Sequence, residues 1–220
     1  MAKPKVGIFG LTGCAGDQLV ILNCEDELLD LVELIDIRSF LMASSAVDEE
    51  SELDVAFVEG AVVTAHDEHV LRRARARSKL LVALGTCASW GGVAQLQPLS
   101  KYVPVDAAIT GCPIEKHEFL DAVTNLLRGQ LPVFPQYPVC VECKANENEC
   151  LLAGGHAFCS GPVTVAGCHA RCTTLGVACI GCRGPVPEAN FASAVTMYAE
   201  HGFSDQDIKG RLNWFAAGVV

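Results

Sequence analysis

Eight of the twelve cysteines in this 220-residue chain fall between Cys140 and Cys182. They read Cys140-x2-Cys143-x6-Cys150-x8-Cys159, then Cys168-x3-Cys172-x6-Cys179-x2-Cys182. The segment is rich in Gly and has little hydrophobic periodicity, so burial of apolar surface alone is a weak basis for folding it. Cross-links must supply the rest. In a secreted chain they would be disulfides. The start, Met1-Ala2-Lys3-Pro4-Lys5-Val6, shows no charged-then-apolar leader and no twin arginine, so the expected location is the cytoplasm, where such cysteine density indicates metal. Two zinc sites would also staple the segment. Neither set, however, has the usual zinc pattern of two short C-x2-C pairs around a longer loop. Compact four-cysteine spacing in Gly-rich turns suits cubane iron–sulfur clusters better. Spacing does not fix the pairing, because a cysteine can serve the neighbouring cluster.

The first half has a different pattern. Short apolar runs at 5–10, 34–37, 54–59, 80–84 and 107–110 alternate with amphipathic runs at 17–31, 67–77 and 114–127. Continuous apolar strands separated by helices predict an α/β fold with a doubly wound parallel sheet. The proline-rich stretch 131–138, "LPVFPQYP", reads as a linker between domains 1–130 and 139–220. Two helices are expected in the tail, the second starting at Ser204 with Asp207 three residues on. No apolar run reaches the roughly 18 residues that span a bilayer, so no transmembrane segment is expected. The net charge of −10 argues against nucleic acid as a partner. Arg72, Arg73, Arg75 and Arg77 form one basic cluster at the C-terminal end of a predicted helix, where a solvated face is the simple reading.

Cys14, Cys87 and Cys112 share one setting: each follows an apolar strand, in "VGIFGLTGC", "LLVALGTC" and "AAITGC". Open α/β sheets bind ligands outside the carboxyl ends of their strands, so three residues distant in sequence converge on one edge. A lone cysteine there would be a small core residue; three at equivalent strand ends favour metal. Gly10, Gly13 and Gly16 are spaced G-x-x-G-x-x-G, which is not the dinucleotide fingerprint. Three thiolates leave a four-iron cluster one ligand short. Asp17, three residues after Cys14, is at chelate spacing but is equally placed to cap a helix. Cys24 is expected inside the first helix as a core thiol, and His66 and His69 on the surface.

The stretches "LTGCAGDQ", "FVEG", "GTCASWGG", "GCPIEKHEF", "PVCVECK", "GPVTVAGCHARC" and "VACIGCRGP" together resemble the small subunit of [NiFe] hydrogenases. The resemblance is closest to the cytoplasmic type, such as the delta subunit of sulfhydrogenases and the gamma subunit of F420-reducing enzymes. It covers nearly the whole chain. It implies a flavodoxin-like domain followed by a small irregular iron–sulfur domain, with three [4Fe-4S] clusters. By position, Cys14, Asp17, Cys87 and Cys112 match the proximal ligands. Cys140, Cys143, Cys150 and Cys159 match the distal set, and Cys168, Cys172, Cys179 and Cys182 the medial set. The periplasmic branch usually has histidine at the position of Cys140 and proline at that of Cys172. The departure from the commonest pattern is Asp17, although members with an aspartate there exist and it looks like a ligand in them. The resemblance further implies a large-subunit partner that carries the nickel–iron centre, and a flavin- or ferredoxin-type acceptor subunit. His169 and Arg171, inside the medial motif, are placed to donate charge or hydrogen bonds to that cluster. The first domain also resembles the 20 kDa relay subunit of complex I, which typically carries adjacent cysteines; "CC" occurs nowhere here.

Overall fold

The apolar runs of the first half become five parallel strands: β1 (Lys5–Gly10), β2 (Asp36–Phe40), β3 (Leu53–Glu59), β4 (Ser78–Leu84) and β5 (Ala107–Ile109). Their spatial order is β2-β1-β3-β4-β5, the flavodoxin-like doubly wound order. The computed structural model describes residues 3–24, 27, 33–45, 47–154, 156–216 and 218–220. The chain divides into two units, Met1–Val133 and Phe134–Val220.

In the first unit, side chains alternate across β3. Ala56 and Val58 pack with Leu71 and Ala74 of α2 (Ala65–Arg77), while Phe57 meets Phe119 of α4 (Lys116–Leu127) edge-on at 5.4 Å. Two shorter helices follow strands directly: α1 (Gly16–Leu22) after β1 and α3 (Gly85–Trp90) after β4. The predicted helix over 17–31 is thus seen from Gly16 to Leu22, and most of its remainder lies outside the described residues. Cys24 lies just past α1 rather than within it; it is fully buried, and its thiol donates to the Val20 carbonyl at 3.4 Å. The second strand begins two residues later than expected, at Asp36.

The arginines of α2 are more than a solvated face. Arg75 donates to the carbonyls of Ser78 and Lys79 and pairs with Asp106, and Arg77 donates to the carbonyls of Asp48 and Ser51. They cap the helix C-terminus and fasten neighbouring loops.

At the other end of α2, Asp67 gathers five donors. Thr64 caps the helix and Asp67 answers from the third position, accepting from Thr64 N at 2.8 Å, from the Thr64 hydroxyl and from Val63 N. It also takes Thr12 N at 3.1 Å and the Thr12 hydroxyl at 2.9 Å, which ties the loop after β1 to α2. Burial pushes this carboxyl up, but the Thr64, Thr12 and Val63 donors outweigh it and bring its pKa down to about 2. Asp67→Ala is therefore expected to destabilise the fold by about 2 kcal/mol in chemical denaturation. Because the folded pKa is depressed below the unfolded value near 4, the contribution is whole above about pH 4 and is lost as pH falls through about 2. The gap between wild type and variant should accordingly be constant from pH 7 to pH 5; a gap that shrinks over that range would contradict the assignment.

The second unit consists of α5 (Val139–Ala145), α6 (Arg171–Thr174), α7 (Phe191–Glu200) and α8 (Asp205–Leu212), with irregular chain between them. Its core joins Ala194, Tyr198, Ile208 and Leu212 of the tail helices to Val139, Leu152, Phe158 and Val163, closed around Cys159 and Cys179. Ser204 caps α8 as expected, accepting from Asp207 N at 3.2 Å.

Candidate metal centres

All five strands run the same way, so every strand-to-helix loop of the first unit emerges on one edge of the sheet. β1 lies beside β3, with Gly10 opposite Glu59, and these two strands form the switch point of the 2-1-3-4-5 order. The loop after β1 is stitched to the end of β3: Leu11 N donates to the Glu59 carbonyl at 2.8 Å and Ala61 N to the Thr12 carbonyl at 3.0 Å. Cys14 follows on that loop. Cys87 sits in α3, and Cys112 follows β5, where the Cys112–Pro113 peptide is cis.

α1 starts without a cap of its own. Its N-cap residue, Ala15, is left-handed (φ 59°) and makes no side-chain capping bond. The helix is received instead by Glu59, the last residue of β3, which is buried and accepts from Asp17 N at 3.1 Å, Gln18 N at 3.3 Å and the Gln18 side-chain amide at 2.6 Å. Asp17 is therefore not the helix cap. Its carboxylate is buried, and Oδ1 accepts from Ile114 N at 2.8 Å across the site. Cys14, Asp17, Glu59, Cys87 and Cys112 together line one cavity of about 90 Å3. Glycines keep it open. Gly85 (φ +81°) leaves room for the Asp17 carboxylate, and Gly92 (φ +61°) leaves room for the Cys87 sulfur, 2.6 Å from where a Cβ would stand.

The electrostatics suit a cationic guest. Burial raises Asp17 to about 7, against the Ile114 N–H and with help from the charge of Glu59. Cys87 is pushed up to about 11, first by burial and then by Cys112, Asp17, Cys14 and Glu59. Burial, Asp17, Cys14 and Glu59 likewise raise Cys112. These groups repel one another as anions, so iron bound among them would both displace their protons and relieve the repulsion. Soft thiolates with one carboxylate are a donor set that fits an iron–sulfur cluster.

In the second unit Cys140 and Cys143 lie on α5. Cys140 is raised to about 11 by burial and then by Cys159, Cys143 and Cys150, which makes these four sulfurs electrostatic neighbours. Cys168 and Cys172 flank the entry to α6, and burial drives Cys179 well above the usual thiol range, with Cys159 and Cys182 adding to it. The two sets stand back to back: Cys179 N donates to the Cys159 sulfur at 3.4 Å and Ser160 N to the Cys179 carbonyl at 2.8 Å. The thiolate donor sets again fit iron–sulfur clusters. Among the described residues, no three His, Cys, Asp or Glu side chains close into the tight shell of a single metal ion. A cubane cluster, whose thiolates each meet a separate iron, asks for a wider spread.

Cys24 is not among the residues that line the cavity of the first unit, and His66 and His69 are exposed on α2. Sequence reading missed Glu59, Glu142 and the buried Arg183, whose Nε donates to the Ala166 carbonyl at 2.9 Å. It also missed Tyr198, whose hydroxyl donates to the Cys159 carbonyl at 2.7 Å. An acid closing an apolar strand, in "FVEG", and an acid inside C-V-E-C were the available signals.

Residues 14–126 match the family described as NADH ubiquinone oxidoreductase, 20 Kd subunit. The chain belongs to this family and, by similarity along its whole length, to the small subunits of [NiFe] hydrogenases. It is 41% identical to the delta subunit of sulfhydrogenase 2 of Pyrococcus furiosus, over 96% of this chain and 99% of that one. It is 28% identical to a subunit of the F420-non-reducing hydrogenase vhu of Methanocaldococcus jannaschii, over 96% and 94% of the two chains. The fold matches the reduced, active Ni-Fe-Se hydrogenase from Desulfomicrobium baculatum with a TM-score of 0.64, over 85% of this chain and 96% of that one at 17% identity.

Proposed function

We propose that this chain is the electron-transfer subunit of a cytoplasmic [NiFe] hydrogenase and holds three [4Fe-4S] clusters. Cys14, Asp17, Cys87 and Cys112 hold the proximal one, Cys140, Cys143, Cys150 and Cys159 the distal one, and Cys168, Cys172, Cys179 and Cys182 the medial one. When bound, the clusters supply one-electron carriers between the nickel–iron centre of the large subunit and a flavin- or ferredoxin-type acceptor subunit. The observation that carries the reading is the convergence of Cys14, Asp17, Cys87 and Cys112 on one cavity at the carboxyl edge of the sheet. The residues' own tasks are to hold, orient and shield: Glu59 fixes the start of α1, and the Gly85 and Gly92 backbones let the ligands close in. Among the described residues no helix is long and apolar enough to cross a membrane.

The same sheet edge carries exposed apolar side chains, including Leu41 and Val63 on the loops after β2 and β3, and Trp90 and Val93 at the end of α3 and just past it. Such a rim beside Cys14 and Cys112 suits burial by the large subunit. Val93→Asp and Val63→Asp are expected to lower recovery of the large subunit in co-purification by at least about tenfold, since an unpaired charge in an interface costs several kcal/mol; undiminished recovery would place the interface elsewhere.

The matched family is named for a complex I subunit, which favours a second reading, a relay subunit without hydrogenase activity. The second eight-cysteine unit and the full-length relatives weigh against it. Co-purifying the partner subunits and assaying H2-dependent dye reduction separates the two: activity supports the hydrogenase reading, and a stable, cluster-loaded but inactive complex supports the other.

A further inference from the structure

The loop that delivers Cys168 is unusual in its backbone. Gly167, His169 and Ala170 all have positive φ (116°, 55° and 51°), and two of these residues are not glycine. Side chains disfavour that region, and such residues persist where their surroundings over-determine them. One side chain contributes two bonds to this turn. Glu142 lies on α5 between Cys140 and Cys143, so two distal-set residues fix its backbone. Its carboxylate reaches into the other set: Oε1 accepts from Gly167 N at 2.8 Å and Oε2 from Ala170 N at 3.0 Å. The sulfur of Cys168 lies 4.0 Å from Oε2. The turn just past the same helix adds support, for Asn146 donates to the His169 carbonyl at 2.9 Å and Asn148 to the Thr174 hydroxyl at 3.0 Å.

From these contacts we infer that Glu142 is a positioning residue for the cluster bound by Cys168, Cys172, Cys179 and Cys182: it holds the Cys168 loop in its left-handed turn, and its negative charge beside that sulfur keeps the cluster's reduction potential low. The inference rests on the cluster assignment proposed above. A carboxylate offers an acceptor to each N–H, which an amide cannot, so Glu142→Gln removes the charge and one of the two bonds. Glu142→Asp keeps the charge but is one methylene too short to serve both N–H groups at once. The charge therefore sets the potential and the reach sets the grip: Glu142→Asp changes the grip with the charge kept, and Glu142→Gln removes the charge together with one bond.

The test uses the full complex, prepared anaerobically, with potentials read by spectroscopically monitored redox titration and iron loss followed under a ferrous chelator. In Glu142→Gln one cluster should become about tenfold easier to reduce, an upward shift of about 59 mV for one electron, with the other two unmoved. Glu142→Asp should keep the wild-type potentials but lose iron from one cluster about tenfold faster. Wild-type potentials in Glu142→Gln together with a wild-type iron-loss rate in Glu142→Asp would overturn the inference. Should Glu142→Gln fail to accumulate, Glu142→Asp decides alone: faster loss supports the inference, and an unchanged rate overturns it. A wild-type complex without clusters would instead overturn the underlying assignment, which the iron content of the wild type reports separately.

Discussion

Asp17→Ala is expected to convert the proximal cluster to a three-iron form, or to leave its fourth iron easily lost, while the other two clusters stay intact. Three cysteines and Asp17 line the cavity, and capping of α1 falls to Glu59, so helix capping does not account for the Asp17 carboxylate. One of its oxygens is held by Ile114 N at 2.8 Å, which fixes the side chain in place. A carboxylate oxygen is a harder and less covalent donor than a thiolate, so the fourth iron should be the labile one even in the wild type. The formal charge equals that of a cysteine ligand. Asp17→Cys should thus retain four irons with a shifted potential, and Asp17→Asn, a poor anionic ligand, should behave like the alanine variant. Deleting the side chain also strips Ile114 N of its acceptor, at about 1–3 kcal/mol of stability. Electron paramagnetic resonance and redox titration of the three variants check this. An unaltered proximal cluster in both Asp17→Ala and Asp17→Asn would remove Asp17 from the ligand set.

Gly85→Ala is expected to reproduce the proximal defect without touching any ligand. Gly85 opens α3 with φ +81°, a conformation that costs an L-residue about 1–2 kcal/mol. The added Cβ would also fall on Oδ2 of Asp17, 2.6 Å from its Cγ. The carboxylate has little room to yield, because it is buried and held by Ile114 N. Overpacking of this kind typically adds about 1–3 kcal/mol, so the total loss should be about 3 kcal/mol. Thermal denaturation and the proximal cluster signal should change together. A cluster identical to the wild type in a merely destabilised protein would mean that Asp17 is free to move, contrary to the buried geometry.

Much of this architecture is legible in the sequence because its signals are periodic. The runs that become β1, β3 and β4 are continuous and apolar, as strands buried on both faces must be, and the turns after β1, β4 and β5 carry the cysteines. Strand direction then brings Cys14, Cys87 and Cys112 to one edge without any long-range information. What escaped is what depends on partners distant in sequence. Asp17 looks equally like a cap or a ligand until Glu59, 42 residues away, is seen to receive the helix. Glu142 looks like an ordinary helical surface acid until it is seen to reach Gly167 and Ala170. The arginines of α2 read as a solvated face because the carbonyls they bind, at the start of β4 and in the loop before β3, leave no mark on the helix's own pattern. The six-residue helix α3 is too short to show a hydrophobic period.

The central claim is that the chain carries three four-iron clusters rather than one cluster and a zinc-stapled second unit. Metal and acid-labile sulfide analysis of the anaerobically prepared complex, expressed per copy of this chain and corrected for the large subunit and any acceptor subunit, tests it most directly. The account predicts about twelve irons and about twelve sulfides, with no stoichiometric zinc. About four irons with the balance as zinc would contradict it.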